Sequence, residues 1–196
     1  MLFSHYLQGA LVPRSVALVG ASNRSGALGT YVLDNLLAGG FKGPIYPVNP
    51  KYPELAGRTC YARLADVPQA PDLVVIVTPP KTVPDLIDQC AARGARSALV
   101  ISAGFTDAGA AGRQLHQEAL ARARAQGIRL LGPHCLGIMR PDIGLNATYA
   151  RTPAKPGSVA LVSQSGAVVS ALLDFAQVAG FGFSSVVSTG AGSDVE

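Results

Sequence analysis

Residues 16–29, VALVGASNRSGALG, pass from an apolar run through a glycine-rich turn into helix-forming sequence. That order suits an anion. Glycines admit left-handed torsions and close backbone approach, and the amino end of the next helix, near Gly26–Thr30, offers free N–H groups and a positive dipole. Ser22 and Arg24 supply further donors inside the turn. A nucleotide-hydrolase phosphate loop, G-x-x-x-x-G-K-[ST], needs a lysine and a hydroxyl after its last glycine, whereas Gly26 is followed by Ala27 and Leu28. The dinucleotide pattern G-x-G-x-x-G is approached by Gly20, Gly26 and Gly29, but the first spacing is too long. An NAD site also places an acid at the end of the second strand to accept the ribose hydroxyls. Here YPVNPKYPEL puts Lys51 there, and a cation suits a phosphate on the ribose, which leaves NADP or coenzyme A. The competing reading is an ordinary tight turn between strand and helix with no ligand.

A second anion-holding turn lies further along. Ser163, Gln164, Ser165 and Gly166 join an apolar run to a helical one, so their N–H groups and hydroxyls meet at a helix start. The competing reading is a plain helix cap, and Ser165 lacks the Gly-x-Ser-x-Gly frame of a hydrolase nucleophile. His134–Cys135 has the residue types of a dyad, but neighbouring side chains on an extended turn point apart and no third orienting group is evident. No residue is assigned a catalytic role. The three cysteines, Cys60, Cys90 and Cys135, are odd in number and widely spaced, which suggests neither a disulfide framework nor a zinc site.

The elements that must position these turns are legible as alternation. Short β-branched runs at Ser15–Val19, Pro44–Val48, Leu73–Val77, Ala98–Ser102 and Ile128–Leu131 predict strands, and Ala/Leu-rich segments at Leu28–Ala38, Pro84–Arg93 and Ala110–Gln126 predict helices between them. Thr82 is placed to cap the second helix and Gly94 to stop it. Such alternation implies a doubly wound parallel sheet, an α/β fold with expected strand order 3-2-1-4-5. The strand ends PVNPK (47–51), TPP (78–80), SAGF (102–105) and GPHCLG (132–137) then share the ligand-bearing edge with the glycine loop. Pro153, Pro156 and Gly157 mark a boundary near 149–158, giving a first domain over 1–150 and a second unit over 157–196. The second unit reads as strand Val159–Val162, helix Val168–Val178 and strand Ser185–Ser188, too little to bury both faces of a sheet, so a truncated domain is expected.

Composition removes other classes. The net charge of +4 is mild and its arginines are scattered, with Arg113, Arg122 and Arg124 in the helical stretch 107–127, which does not make a nucleic-acid footprint. No apolar stretch approaches the roughly 20 residues that cross a bilayer, and the start lacks a basic n-region, so a cytoplasmic protein without membrane partners is expected.

The segments VALVGASNRSGALG, PIYPVNPK, VIVTPP, ISAGF, GPHCLGI and VALVSQSGA, in this order, resemble the nucleoside-diphosphate-forming acyl-CoA synthetases, relatives of the succinyl-CoA synthetase α subunit. Within that family LLAGGFKGPIYPVNP and GLNATYARTPAKPGSVALVSQSGAV are similar to the amino-terminal region of bacterial protein lysine acetyltransferases, where a synthetase-like part precedes a GNAT domain. The resemblance implies a Rossmann-like CoA-binding domain followed by the truncated start of a flavodoxin-like domain. It implies coenzyme A or acyl-CoA contacts at Gly20, Ala21, Ser22, Arg24 and Leu28, beside Gly26 of the same loop. The implied contacts continue at Val48, Asn49 and Lys51, at Thr78 and Pro79, and at Ser102, Ala103 and Gly104. Ser163, Ser165 and Gly166 correspond to the helix start that receives a phosphorylated histidine, whose position would fall beyond Glu196; none of His5, His116 and His134 stands in a matching context. The family commonly has Asn where His134 stands. Two functions follow as expectations: support of acyl transfer between acyl phosphate and CoA, with ATP or ADP and an ATP-grasp partner entering only through downstream domains, or CoA sensing by a regulatory module fused to an acetyltransferase. Oligomers are compatible with both. NADP-dependent oxidoreduction is disfavoured by the loop spacing and by the lack of hydride-transfer residues.

Overall fold

The structure is a computed structural model that describes residues 6–192 and Asp194. His5 and Glu196 lie outside the described residues. In chain order the elements are α1 (Gln8–Leu11), β1 (Val16–Val19), α2 (Leu28–Ala38), β2 (Ile45–Val48), a two-residue hairpin β3 (Glu54–Leu55) and β4 (Arg58–Thr59), β5 (Leu73–Ile76), α3 (Val83–Arg93), β6 (Ser97–Val100), α4 (Gly109–Ala125) and β7 (Arg129–Leu131). There follow β8 (Gly137–Arg140), β9 (Leu145–Thr148), β10 (Pro156–Ser163), α5 (Gly166–Ala179) and β11 (Phe183–Ser188). The five strands and three helices expected up to Leu131 form within a residue or two of their predicted ends. Gly94 stops α3 as expected. Thr82 does not cap α3 with its side chain; its hydroxyl is turned back to the Pro79 carbonyl (2.8 Å) and the Thr78 hydroxyl (2.7 Å).

Five parallel strands make the main sheet, in the order β2-β1-β5-β6-β7. Numbered by these five strands alone, the order is 2-1-3-4-5, not the expected 3-2-1-4-5. Pro47 explains the difference. It has no N–H for a neighbour on its outer side, so β2 belongs at the edge and the third strand pairs with β1 instead. On the outer side of β2 stands Tyr61, whose N–H reaches the Pro47 carbonyl at 2.9 Å and whose own carbonyl accepts from Asn49 N–H at 2.8 Å. Every residue of β1, β2, β5 and β6 is buried. Alternate residues feed the two faces: Leu18, Val75 and Leu99 pack with α2, while Ala17, Val74, Ile76 and Val100 pack with α3 and α4.

The second sheet has the order β10-β11-β8-β9, with β11 antiparallel to β8 through Val186↔Met139 and Val187↔Ile138. Sequence patterning missed the β8–β9 hairpin. Ile138, Leu145 and Ala147 share a core with Val32, Leu33 and Leu36, so α2 lies between the two sheets. Asn35 of α2 fastens this packing, donating to the carbonyls of Thr148 (2.8 Å) and Ala150 (2.9 Å). On the opposite face of the second sheet, α5 packs Val169, Leu173 and Ala176 onto Leu136, Met139 and Phe183. Strand β10 pairs with β11 alone among the described strands and is largely exposed along its length.

Candidate functional site

In a sheet ordered 2-1-3-4-5 the crossovers leaving β1 and β5 run to opposite faces, which opens a crevice at the carboxyl ends of those two strands. The structure has a cleft of about 670 Å³ there, lined by the loops after β1, β2, β5 and β6. It brings together Gly20, Ser22, Arg24, Gly26, Leu28, Asn49, Lys51, Thr78, Pro79, Ser102 and Ala103 from the sequence-derived set. Ala21 and Val48 do not join that surface. Ala21 is fully buried behind it, and Val48 lines an adjoining apolar recess of about 320 Å³ with Leu64 and Leu86. Gly104 sits one residue beyond the lining, with its N–H directed to Asp107 at 3.0 Å.

The loop is held open by its own hydrogen bonds. Ser22 Oγ accepts from Arg24 N–H at 3.0 Å, and Thr30 Oγ1 donates to the carbonyls of Ser22 (3.1 Å) and Arg24 (2.8 Å). Asn49 ties the end of β2 to the same loop, its Nδ2 donating to the Ala21 carbonyl at 2.7 Å while its Oδ1 accepts from Lys51 N–H at 3.0 Å. Asn49 therefore shapes the cleft with its side chain already engaged. Ala27 stands at the N-cap of α2 without a side chain able to cap it, so the first helical N–H groups, on the lining residues Leu28 and Gly29, are offered to the cleft. A Cβ on Gly29 would lie 2.0 Å from the Gly20 carbonyl oxygen, so only glycine lets α2 start this close to β1. Gly26, at φ +78°, has open space where a Cβ would point. Lys51 is exposed on the rim, and the described residues contain no acid in salt-bridge contact with it or with Arg24. An uncapped helix start, an open glycine turn and two free cations make a donor set that fits a diphosphate carrying an additional phosphate.

The rim continues past β7. His134 donates its backbone N–H to the Ser102 carbonyl at 3.0 Å and takes a left-handed φ of +57°. Its Nδ1 lies 4.0 Å from Asp107 Oδ2, with both side chains about half exposed. Burial raises the Asp107 carboxyl, but N–H groups of Asp107 itself, Phe105 and Gly104, helped by the adjacent His134, outweigh it and hold it below the usual carboxylate range. Cys135 points the other way. Its thiol is buried, donates to the Val100 carbonyl at 3.3 Å, and is pushed up to about 12 by desolvation. His134 and Cys135 are not a dyad.

His134 also lines a small cleft of about 290 Å³ with Leu136, Tyr149, Gly166, Ala167 and Ser170, and so faces the start of α5. There Ser165 is the N-cap, its hydroxyl accepting from Val168 N–H at 3.3 Å, and Ser163 Oγ accepts from Ser165 N–H at 3.1 Å. These hydroxyls close the turn on itself, the plain-cap arrangement, and of Ser163, Ser165 and Gly166 only Gly166 lines the cleft. Tyr52, which lines the cleft with its hydroxyl 3.4 Å from Ser22 Oγ, and Asp107 were missed by sequence reading and carry one faint signal each: Tyr52 follows Lys51 directly, and Asp107 stands ahead of a helix within SAGFTD. Tyr149 and Ser170 carried none. Among the described residues no cluster of His, Cys, Asp and Glu could hold a metal, and no helix is long and apolar enough to cross a membrane.

The fold and the rim define a class: a Rossmann-like α/β domain with a donor-lined crevice at its topological switch point. The chain belongs to the CoA binding domain family, whose model matches residues 14–141, and residues 156–196 match the succinyl-CoA ligase like flavodoxin domain. It is 43% identical over 184 residues to the acetate–CoA ligase [ADP-forming] of Methanocaldococcus jannaschii, covering 94% of this chain and 26% of that protein. It is 38% identical over 194 residues to the alpha subunit of acetate–CoA ligase [ADP-forming] I of Pyrococcus furiosus, covering 97% of this chain and 42% of that subunit. Among solved structures, the dinucleotide forming acetyl-coenzyme A synthetase 1 of Ca. Korarchaeum cryptofilum, in complex with phosphate and ADP, matches with a TM-score of 0.92 and 39% identity, covering 97% of this chain and 40% of that one. The chain thus spans between a quarter and about two fifths of the length of these relatives.

Proposed function

We propose that the crevice binds coenzyme A or its acyl thioester, as the CoA-binding part of an ADP-forming acyl-CoA synthetase. The observation that carries this reading is the convergence of four strand-end loops on one cleft that combines an uncapped helix start with the free cations Arg24 and Lys51. The Gly20–Leu28 loop would hold the diphosphate through N–H groups, with Ser22 and Arg24 beside it. Lys51 would meet the ribose phosphate. Thr78, Pro79, Ser102, Ala103 and Gly104 would continue the wall toward His134, with Ala21, Val48 and Asn49 shaping it from behind. When bound, the thiol supplies the acceptor for an acyl group arriving as an acyl phosphate. The buried Cys135 thiol holds its proton and takes no part as nucleophile. Ser163, Ser165 and Gly166 would bind the phosphate of a phosphorylated histidine at the start of α5, and nucleotide chemistry would reside in an ATP-grasp partner outside this chain.

A second reading keeps the same ligand and assigns regulation in place of transfer: a CoA-sensing module joined to a GNAT acetyltransferase. His134 in the turn where the resemblance expects Asn, and the self-satisfied hydroxyls at Ser163 and Ser165, favour it. The two separate by assay, since only the first requires the chain to support acyl transfer from acyl phosphate to CoA.

Calorimetric titration with CoA, dephospho-CoA and NADPH tests the ligand. CoA is expected to bind more tightly than dephospho-CoA by about 1.5–3 kcal/mol, the worth of charge-assisted contacts. Lys51→Ala is expected to bring CoA down to the dephospho-CoA level. Equal affinity for the two would remove Lys51 from the ribose-phosphate role, and preference for NADPH would sink the CoA reading.

A further inference from the structure

The main sheet ends at β7, whose outer edge has no neighbouring strand among the described residues. Arg129 N–H turns inward to the Arg96 carbonyl at 2.9 Å, so the next donor, on Leu130, points outward and needs a partner. It finds one far along the chain: Leu130 N–H donates to Asp194 Oδ2 at 3.0 Å. The Asp194 side chain is 4% exposed and sits between two cations, with Arg124 Nε 3.6 Å from one oxygen and Arg129 Nε 3.6 Å from the other. Taking a buried carboxylate out of such a cluster is strongly disruptive.

The backbone that leads to Asp194 runs against the turn carrying His134. Ala191 N–H donates to the Pro133 carbonyl at 3.1 Å, and a Cβ on Gly190 would run into the carbonyl oxygens of Pro133 and His134. Just before it, Ser188 Oγ accepts from Leu136 N–H at 3.0 Å and Thr189 N–H donates to the Ser163 carbonyl at 2.9 Å. From the His134 turn the bonds continue into the CoA cleft. His134 N–H donates to the Ser102 carbonyl (3.0 Å) and Ser102 Oγ to the Thr78 carbonyl (2.5 Å), and both Ser102 and Thr78 line that cleft. Gly190 and Gly192 both stand at φ +58°, and glycines lose the most freedom on ordering, so the path past His134 depends on an anchor beyond it.

We infer that Asp194 is a positioning residue for the cleft: it clasps the segment after β11 onto the edge of β7, and the clasp fixes the His134 turn and, through Ser102, the wall of the cleft. The inference rests on the coenzyme A reading above for its ligand. Linkage makes the effect reciprocal, since whatever the closed clasp adds to CoA affinity, bound CoA adds to the clasp.

The test combines CoA calorimetry with residue-resolved amide exchange by NMR on this chain, unaltered and as Asp194→Ala and Asp194→Asn. Asp194→Ala should speed exchange at Leu130, Ala191 and His134 by roughly tenfold, leave the amides of β1 and β5 protected, and weaken CoA about tenfold. Asp194→Asn keeps an oxygen for Leu130 N–H and should fall between the two. Saturating CoA should slow exchange at Leu130 and Ala191 in the unaltered chain. Faster Leu130 exchange with CoA affinity unchanged overturns the positioning role while the CoA reading stands. Equal acceleration of the β1 and β5 amides overturns it too, because a general loss of stability gives that result. If the unaltered chain does not bind CoA, that reading falls by itself and His134 decides the clasp: an amide still protected in Asp194→Ala overturns it, and a freed one upholds it.

Discussion

Cys135 and His134 are adjacent in sequence and opposite in chemistry. The thiol is buried against the Val100 carbonyl, and desolvation pushes it up to about 12, as it does the buried Cys90 thiol. The imidazole stands on the rim beside Asp107. Burial disfavours the thiolate of both cysteines, and the thiolate is the reactive form. Iodoacetamide is therefore expected to leave Cys90 and Cys135 unmodified in the folded chain while carbamidomethylating all three cysteines in guanidinium, as read by intact mass. Rapid native labelling of Cys135 would contradict its burial. The sequence already argued against a dyad, since adjacent side chains on an extended turn point apart, but did not say how firmly the thiol is held, because that depends on its packing against strand β6 and not on its neighbours in sequence.

At the scale of elements, the strands, helices and glycine loop were legible because each depends on a few consecutive residues. Two features were not. Strand order depends on which edge accepts which partner, and the decisive mark, Pro47 in PIYPVNP, lay in the sequence while the order expected from it put β2 inside the sheet. The β8–β9 hairpin was missed because its strands sit at the end of the first domain expected from the sequence, and β8 finds its partner, β11, in the second unit. Helix α2 gives the sharpest test of local packing. Gly29→Ala would drive a Cβ to within 2.0 Å of the Gly20 carbonyl, backbone against backbone. It is expected to lower stability by about 3 kcal/mol, the upper range of overpacking. Gly26→Ala meets open space and strains only its positive φ, at about 1 kcal/mol. Urea midpoints of the two variants measure the difference, and an unshifted Gly29→Ala midpoint would refute the close approach.

For the molecule as a whole, the stretch at 149–158 separates two sequence patterns without separating two packed bodies. Strand β8 lies on the amino-terminal side of it and pairs with β11 on the other, and Val187 joins the core that contains Leu18 and Val75. Arg140 adds a polar tie, donating to the Leu11 carbonyl (3.0 Å) of α1 and the Ser184 carbonyl (3.1 Å) of β11. A chain ending at Ala150 is accordingly expected to lose cooperativity and bind a hydrophobic dye, because Leu136, Met139 and Tyr149 lose the cover of α5 and β11. Cooperative urea unfolding of that shortened chain with an unchanged midpoint would show that the first unit stands alone.

The sequence by itself determined the alternation of strand and helix, the glycine turn with its uncapped helix start, and the presence of Lys51 where a second-strand acid would otherwise stand. These are consequences of side-chain periodicity and turn chemistry, which act over a few residues. Only the tertiary structure decided that β5 lies beside β1, that the hairpin after Cys135 completes the second sheet, and that Tyr149 and Ser170 share a groove with Tyr31. Such features arise when segments distant in the chain compete to bury apolar surface and satisfy backbone hydrogen bonds, a choice that no single segment records.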